Sequence, residues 1–378
     1  MKRFYVRIIV LAAVILTLGG CANNSKESQE QANGDTVVQP AGGQTVSDDT
    51  AANETNDEAG GESSDSQEDI TEDYVLKEGT IESVVYDSKA IADNLIEEKT
   101  EQALYVYLPP TYYESDKTYP VVYYLHGFGE PVATFIQIAR GVLNQAFSEE
   151  PSKEFIMVAV NGKNLPGGSF YVNSPVTGKW EDYASKEVVS YIDSNYRTIA
   201  NAQSRGICGF SMGGFGALNL ALLHPEVYGA TYAMSPGVLA PEKIGDAFVT
   251  WKSDSVFLRA YSLAFAYNTT EPYETIPLGD GSDTDNALLK RWEAGYGDWK
   301  EKLDAYLKLD TPLRAIGLGC GEGDSYAWIP EGTKYLSGLL DEKGIEHVLF
   351  TFQGGHTTPP NAVSENLLPF FREALVWE

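Results

Sequence analysis

The sequence predicts an α/β fold: a mostly parallel central sheet with helices on both faces. Three observations point to it. First, the runs Val121–Leu125, Phe155–Val160, Arg205–Phe210, Arg314–Leu318 and Val348–Phe352 are nearly unbroken in apolar or small residues. Strands buried on both faces read this way, whereas half-exposed strands alternate. Second, helix-length amphipathic stretches separate them, near 181–195, 213–224, 286–308, 332–343 and 362–376. Strand alternating with helix implies parallel strands joined by crossovers. Third, Gly209-Phe210-Ser211-Met212-Gly213 stands where one strand runs into a helix.

Taken in order, residues 1–20 read as a targeting segment. Lys2, Arg3 and Arg7 give a basic start, and Ile8 to Leu18 is apolar apart from Thr17. That run is shorter than the roughly 20 residues a membrane span needs. Leu18-Gly19-Gly20-Cys21 follows, and it resembles the bacterial lipobox. The resemblance implies lipid on Cys21 and an extracytoplasmic chain tethered to a bacterial membrane, because two or more acyl chains hold stably. Residues 21–73 are rich in Asn, Ser, Gln, Gly, Asp and Glu, contain no aromatic residue, and have Lys26 as their one base. Such a composition predicts a disordered acidic linker.

Residues 74–378 form the predicted folded unit. The chain is 43% hydrophobic, which is enough for a large core and excludes wholesale disorder. Its net charge of −27 repels phosphate and excludes a nucleic-acid partner. Three cysteines make no disulfide framework, and no CxxC or Cys/His cluster suggests structural zinc. The stretches 75–86 and 101–109 alternate more and read as antiparallel strands leading into the sheet.

The run at 121–125 ends in His126-Gly127-Phe128-Gly129. Glycines there let the backbone turn an N–H inward, so Phe128 is the expected oxyanion donor, with Gly127 as alternative. His126 reads as a brace for that turn. The strand 205–210 then delivers Ser211. Gly209 and Gly213 leave room for a sharp strand-to-helix turn, which raises the hydroxyl over a helix N-terminus and aims the Met212 amide at a developing oxyanion. Ser211 is therefore the candidate nucleophile. It needs a base, and four histidines are available. His356 follows the last predicted strand, where this architecture places a base. His224 reads as a helix C-terminal cap, and His347 lies at the wrong end of its strand. The strand 314–320 runs into Gly321-Glu322-Gly323-Asp324. Asp324 is the first candidate for the orienting acid, and Glu322 the second.

These motifs, together with Leu108-Pro109-Pro110-Thr111-Tyr112, Tyr119 to Gly127, Trp180-Glu181-Asp182-Tyr183 and His224-Pro225-Glu226, resemble the esterase D-like branch of the α/β-hydrolases. That branch holds feruloyl and acetyl xylan esterases, formylglutathione hydrolases and mycolyltransferases. The resemblance runs from about residue 79 to the C-terminus. It implies an α/β-hydrolase fold and cofactor-free ester hydrolysis through an acyl-Ser211 intermediate, on a small-molecule or glycan ester. Acyl transfer to a sugar or envelope lipid, and a binding lipoprotein on a retired scaffold, are the alternatives. The chain departs from the family where Glu130 follows Gly129 and sets a carboxylate near the mouth. It departs again at about 239–308, a Tyr- and Trp-rich stretch that reads as an inserted cap.

Three smaller signals have plain readings. Asp280 to Asn286 loosely resembles a calcium loop, but lacks the glutamate an EF-hand needs. It reads as a solvated turn, with Asp285 or Asn286 capping the next helix. Cys208 and Cys320 read as buried free thiols, since the family's strand order puts another strand between them. Trp180, Tyr326 and Trp328 read either as pocket walls or as core.

Overall fold

A computed structural model describes residues 76–359 and 361–378. The targeting segment, the acidic linker and Cys21 lie outside the described residues.

The strands are β1 (Thr80–Asp87), β2 (Glu101–Leu108), β3 (Val121–Leu125), β4 (Ile156–Val160), the short hairpin β5 (Asn173–Ser174) and β6 (Gly178–Lys179), then β7 (Arg205–Phe210), β8 (Ala230–Met234), β9 (Ala315–Gly321) and β10 (Val348–Phe352). The helices are α1 (Lys89–Ala92), α2 (Thr134–Glu149), α3 (Trp180–Asp182), α4 (Val189–Asn195), α5 (Met212–Leu223), α6 (Ile244–Trp251), α7 (Ser255–Phe265), α8 (Asp283–Tyr296), α9 (Trp299–Tyr306), α10 (Trp328–Glu342) and α11 (Leu368–Ala374). A π-helical stretch joins α3 to α4, and another leads into α11.

Eight strands make one sheet in the order β1-β2-β4-β3-β7-β8-β9-β10. The leading strands β1 and β2 pair antiparallel, as do β2 and β4. All other neighbours in the sheet are parallel. Every residue of β3, β4, β7 and β8 is buried, which explains their continuous apolar reading. Their side chains still alternate between two cores. Val121, Tyr123 and Leu125 face the one beneath α4, α5 and α10. Val122 and Tyr124 face the other, under α2 and α11.

Helix α2 and strand β8 are among the elements that the pattern did not reveal. Helix α2 carries no side-chain cap at Ala133 and contains Gly141, so its start gave no signal. Strand β8, Ala-Thr-Tyr-Ala-Met, is short and weakly apolar. The stretch expected as one helix at 286–308 is two. Gly297 is extended and Asp298 sits at φ 55°, which ends α8 and starts α9 on a new axis. The cap of α8 is also corrected. Ser282 Oγ accepts the Asp285 N–H at 3.2 Å, while the Asp285 carboxylate turns back to take the Leu278 and Gly279 amides at 2.6 and 3.0 Å.

Helices α6 to α9 fill the connection between β8 and β9. They dock through aromatic contacts. Trp251 packs on Tyr261 at 4.9 Å between ring centroids and on Trp328 at 5.4 Å. Cys208 and Cys320 are free and buried, on β7 and β9, with β8 between them.

Candidate active site

Strand β7 passes into α5 through Ser211, whose backbone sits at φ 55° and ψ −114°. That conformation is strained for a residue with a side chain, and the surroundings hold it there. The Ser211 N–H donates to Met234 O at 2.9 Å, and Ser211 O accepts the Phe215 N–H at 3.0 Å. The two glycines of the elbow are steric necessities. A Cβ on Gly209 would lie 2.2 Å from Gly213 O, and one on Gly213 would lie 2.0 Å from Leu125 O. Only their absence lets α5 close onto β7 and β3.

The loop after β10 brings His356 over the elbow. His356 Nε2 lies 2.9 Å from Ser211 Oγ, and His356 Nδ1 lies 2.7 Å from Asp324 Oδ2. The ring stacks at a tilt on Phe210, with Tyr326 edge-on. The Asp324 side chain is fully buried and that of His356 is 18% exposed. Asp324 Oδ1 also accepts the Tyr326 N–H at 2.8 Å, which fixes the carboxylate. With Nδ1–H donating to this carboxylate, Nε2 is the free lone pair that can accept the Ser211 proton. Two backbone ties hold the acid and base loops together: Gly323 N–H to Gly354 O at 2.8 Å and Glu322 N–H to Phe352 O at 2.9 Å.

Glu322 is not part of this chain of contacts. Its carboxylate faces the Gln353 amide, with Lys334 3.9 Å away. Among the other histidines, His347 bonds Ser337 on α10. His224 ends α5 and lies 3.0 Å from Glu181, whose hydrogen bond raises its pKa above the usual value while burial opposes.

His126 braces the turn after β3. Its Nδ1–H donates to Gly127 O at 2.8 Å, and its Nε2 accepts the Gly162 N–H at 2.9 Å. Burial lowers its pKa, so the neutral ring that this bonding needs is favoured. Gly127 is excluded as an open donor, because its N–H donates to Glu130 Oε2 at 2.9 Å. The amides of Phe128 and Met212 have no acceptor among the described residues. The Phe128 ring and Met212 Sδ both pack on Gly168, where a Cβ would lie 2.6 Å from each.

A cavity of about 340 Å³ opens over Ser211 and His356. Phe128, Glu130, Tyr326 and Trp328 line it, as do Thr250, Trp251, Asp254 and Phe257 of the inserted helices. Trp180 is not among its walls; it is fully buried in the core, with its indole N–H on Thr177 O. The inserted-helix residues carried no individual signal in the sequence beyond the aromatic richness of their segment. No group of three metal-ligating side chains occurs among the described residues.

A family model described as "Putative esterase" matches residues 97–301. Esterase Rv1288 of Mycobacterium tuberculosis is 34% identical over 123 residues, 31% of this chain and 25% of that protein. An endo-1,4-beta-xylanase/feruloyl esterase of Xylanibacter ruminicola is 29% identical over 151 residues, 38% of this chain and 21% of that protein. The chain thus matches no more than about a quarter of the length of these curated relatives. Among solved structures, a ferulic acid esterase superposes with a TM-score of 0.57 at 21% identity, covering 79% of this chain and 100% of that one. An S-formylglutathione hydrolase from Agrobacterium tumefaciens gives 0.54 at 18% identity, covering 80% and 98%. At these identities the superpositions establish the α/β-hydrolase fold.

Proposed function

The chain belongs to the esterase family whose model it matches, and from that premise we propose that it is a serine carboxylesterase working through an acyl-Ser211 intermediate. The observation that carries the reading is the unbroken contact chain Ser211–His356–Asp324, at 2.9 and 2.7 Å, facing a cavity.

The positions of the atoms support the following mechanism. Ser211 Oγ attacks the ester carbonyl carbon while His356 Nε2 takes the hydroxyl proton. Asp324 holds the imidazole tautomer and stabilises the imidazolium. The carbonyl oxygen becomes an oxyanion and meets the Met212 and Phe128 amides, donors with no other acceptor among the described residues. Collapse breaks the C–O bond, and the His356 proton goes to the departing alkoxide. Water then repeats the sequence on the acyl enzyme and frees the acid.

The substrate is an ester on a saccharide or a plant phenolic conjugate. The feruloyl esterase named among the relatives and the aromatic walls of the cavity support this class. We further propose, on the sequence alone, that Cys21 carries lipid and that the enzyme works outside the cytoplasm on a bacterial membrane.

Hydrolysis of 4-nitrophenyl and feruloyl esters tests the reading. Ser211→Ala and His356→Ala are expected to lower kcat by about 10³ or more, and Asp324→Asn by about 10² to 10⁴. Unchanged turnover in Ser211→Ala overturns it.

A further inference from the structure

We propose that Glu130 and Asp254 make the cavity selective by charge: it accepts esters that are neutral or carry an ammonium group, and rejects those with a carboxylate near the scissile bond. The inference rests on Ser211 as nucleophile and deepens that reading.

Both residues line the cavity over Ser211, and among the described residues no Lys or Arg lines it with them. Each is pinned through one oxygen by backbone amides. Glu130 Oε2 takes the Gly127 N–H at 2.9 Å. Asp254 Oδ1 takes the Val256 and Phe257 amides at 3.1 and 2.9 Å, capping α7. The second oxygen of each has no partner among the described residues. These bonds hold both carboxylates at the cavity, Glu130 partly buried and Asp254 exposed. The rest of the wall includes Trp251, Tyr326 and Trp328, whose ring faces present negative potential.

A substrate carboxylate placed here meets two like charges and no counter-ion among the described lining residues. A hydroxyl-bearing group instead finds two free acceptor oxygens. An ammonium finds carboxylates and ring faces together. The site therefore discriminates through repulsion built into its walls.

The test uses matched esters in about 0.5 M NaCl, which screens the long-range field of a chain with net charge −27. On the acyl side, 4-nitrophenyl hemisuccinate is compared with 4-nitrophenyl methyl succinate. On the alcohol side, 4-carboxyphenyl acetate is compared with its methyl ester. An ammonium ester, 4-nitrophenyl 4-(trimethylammonio)butyrate, is compared with the tert-butyl isostere. In at least one of the first two pairs the anionic member is expected to show kcat/KM lower by about tenfold or more. The ammonium ester is expected to match or exceed its isostere. Glu130→Gln and Asp254→Asn keep an oxygen for the same amides and remove the charge, so each should narrow the anionic gap. Ratios taken within one variant do not depend on its folded fraction. Equal turnover within both anionic pairs overturns the proposal, as does a gap that persists unchanged in the double variant. If no neutral ester is hydrolysed at all, the nucleophile reading fails and the charge selectivity falls with it.

Discussion

At the scale of the residue, the site is set by what two positions lack. Ser211 reaches its left-handed backbone because Gly209 and Gly213 leave space for Gly213 O and Leu125 O. Gly213→Ala is expected to cost about 3 kcal/mol or more of stability, or to prevent folding, since the clash is with backbone and cannot be relieved by a side-chain rotation. Urea unfolding checks this, and near-native stability would contradict it. A short pattern singled out Ser211 and Met212 as candidates, and place after the last strand singled out His356; the structure puts His356 Nε2 2.9 Å from Ser211 Oγ. Asp324 and Glu322 were not separable that way. They share one loop, and only the structure puts the Asp324 carboxylate on the imidazole and that of Glu322 on Gln353. Phe128 was separable from Gly127 only once Glu130 was seen to occupy the Gly127 amide.

At the scale of the element, helix α5 is locked at both ends. Its N-terminus carries the elbow, and its last residue is followed by His224, which pairs with Glu181 on α3. The pair ties the elbow helix to the segment before β7. The folded-state pKa of His224 is raised from 6.5, chiefly by the Glu181 hydrogen bond. Its contribution is therefore fully present below the unfolded value and is lost as pH rises through the folded one. Glu181→Gln should lower the melting temperature by about 2 °C near pH 6, and the gap should close by about pH 9. A gap independent of pH would contradict this assignment. Elements were legible where apolar and small residues run nearly unbroken, as in β3, β4 and α5. Helix α2 and strand β8 were missed because one lacks a capping signal and the other is short and weakly apolar. The break between α8 and α9 depends on extended Gly297 and left-handed Asp298, which no apolar periodicity reports.

At the scale of the whole molecule, the strand ends position the groups of the proposed mechanism, and the inserted helices supply Thr250, Trp251, Asp254, Phe257 and Tyr296 to the cavity wall. Their docking rests on packing between distant residues such as Trp251, Trp292 and Trp328, so the identity of that wall was not legible in the sequence. Each group of the proposed mechanism lies within 76–378. Removing residues 1–73 is therefore expected to leave kcat/KM within about twofold, while Cys21→Ser moves the intact chain from the membrane to the soluble fraction. An inactive truncation, or a Cys21→Ser chain that stays with the membrane, would contradict these assignments. The most direct measurement is covalent. The protein is treated with a fluorophosphonate, digested, and the adduct located by mass spectrometry, with its formation rate compared in His356→Ala. The account predicts a single phosphonyl group on Ser211, formed at least about 10²-fold more slowly without the imidazole. An adduct elsewhere, or a rate indifferent to His356, would contradict it.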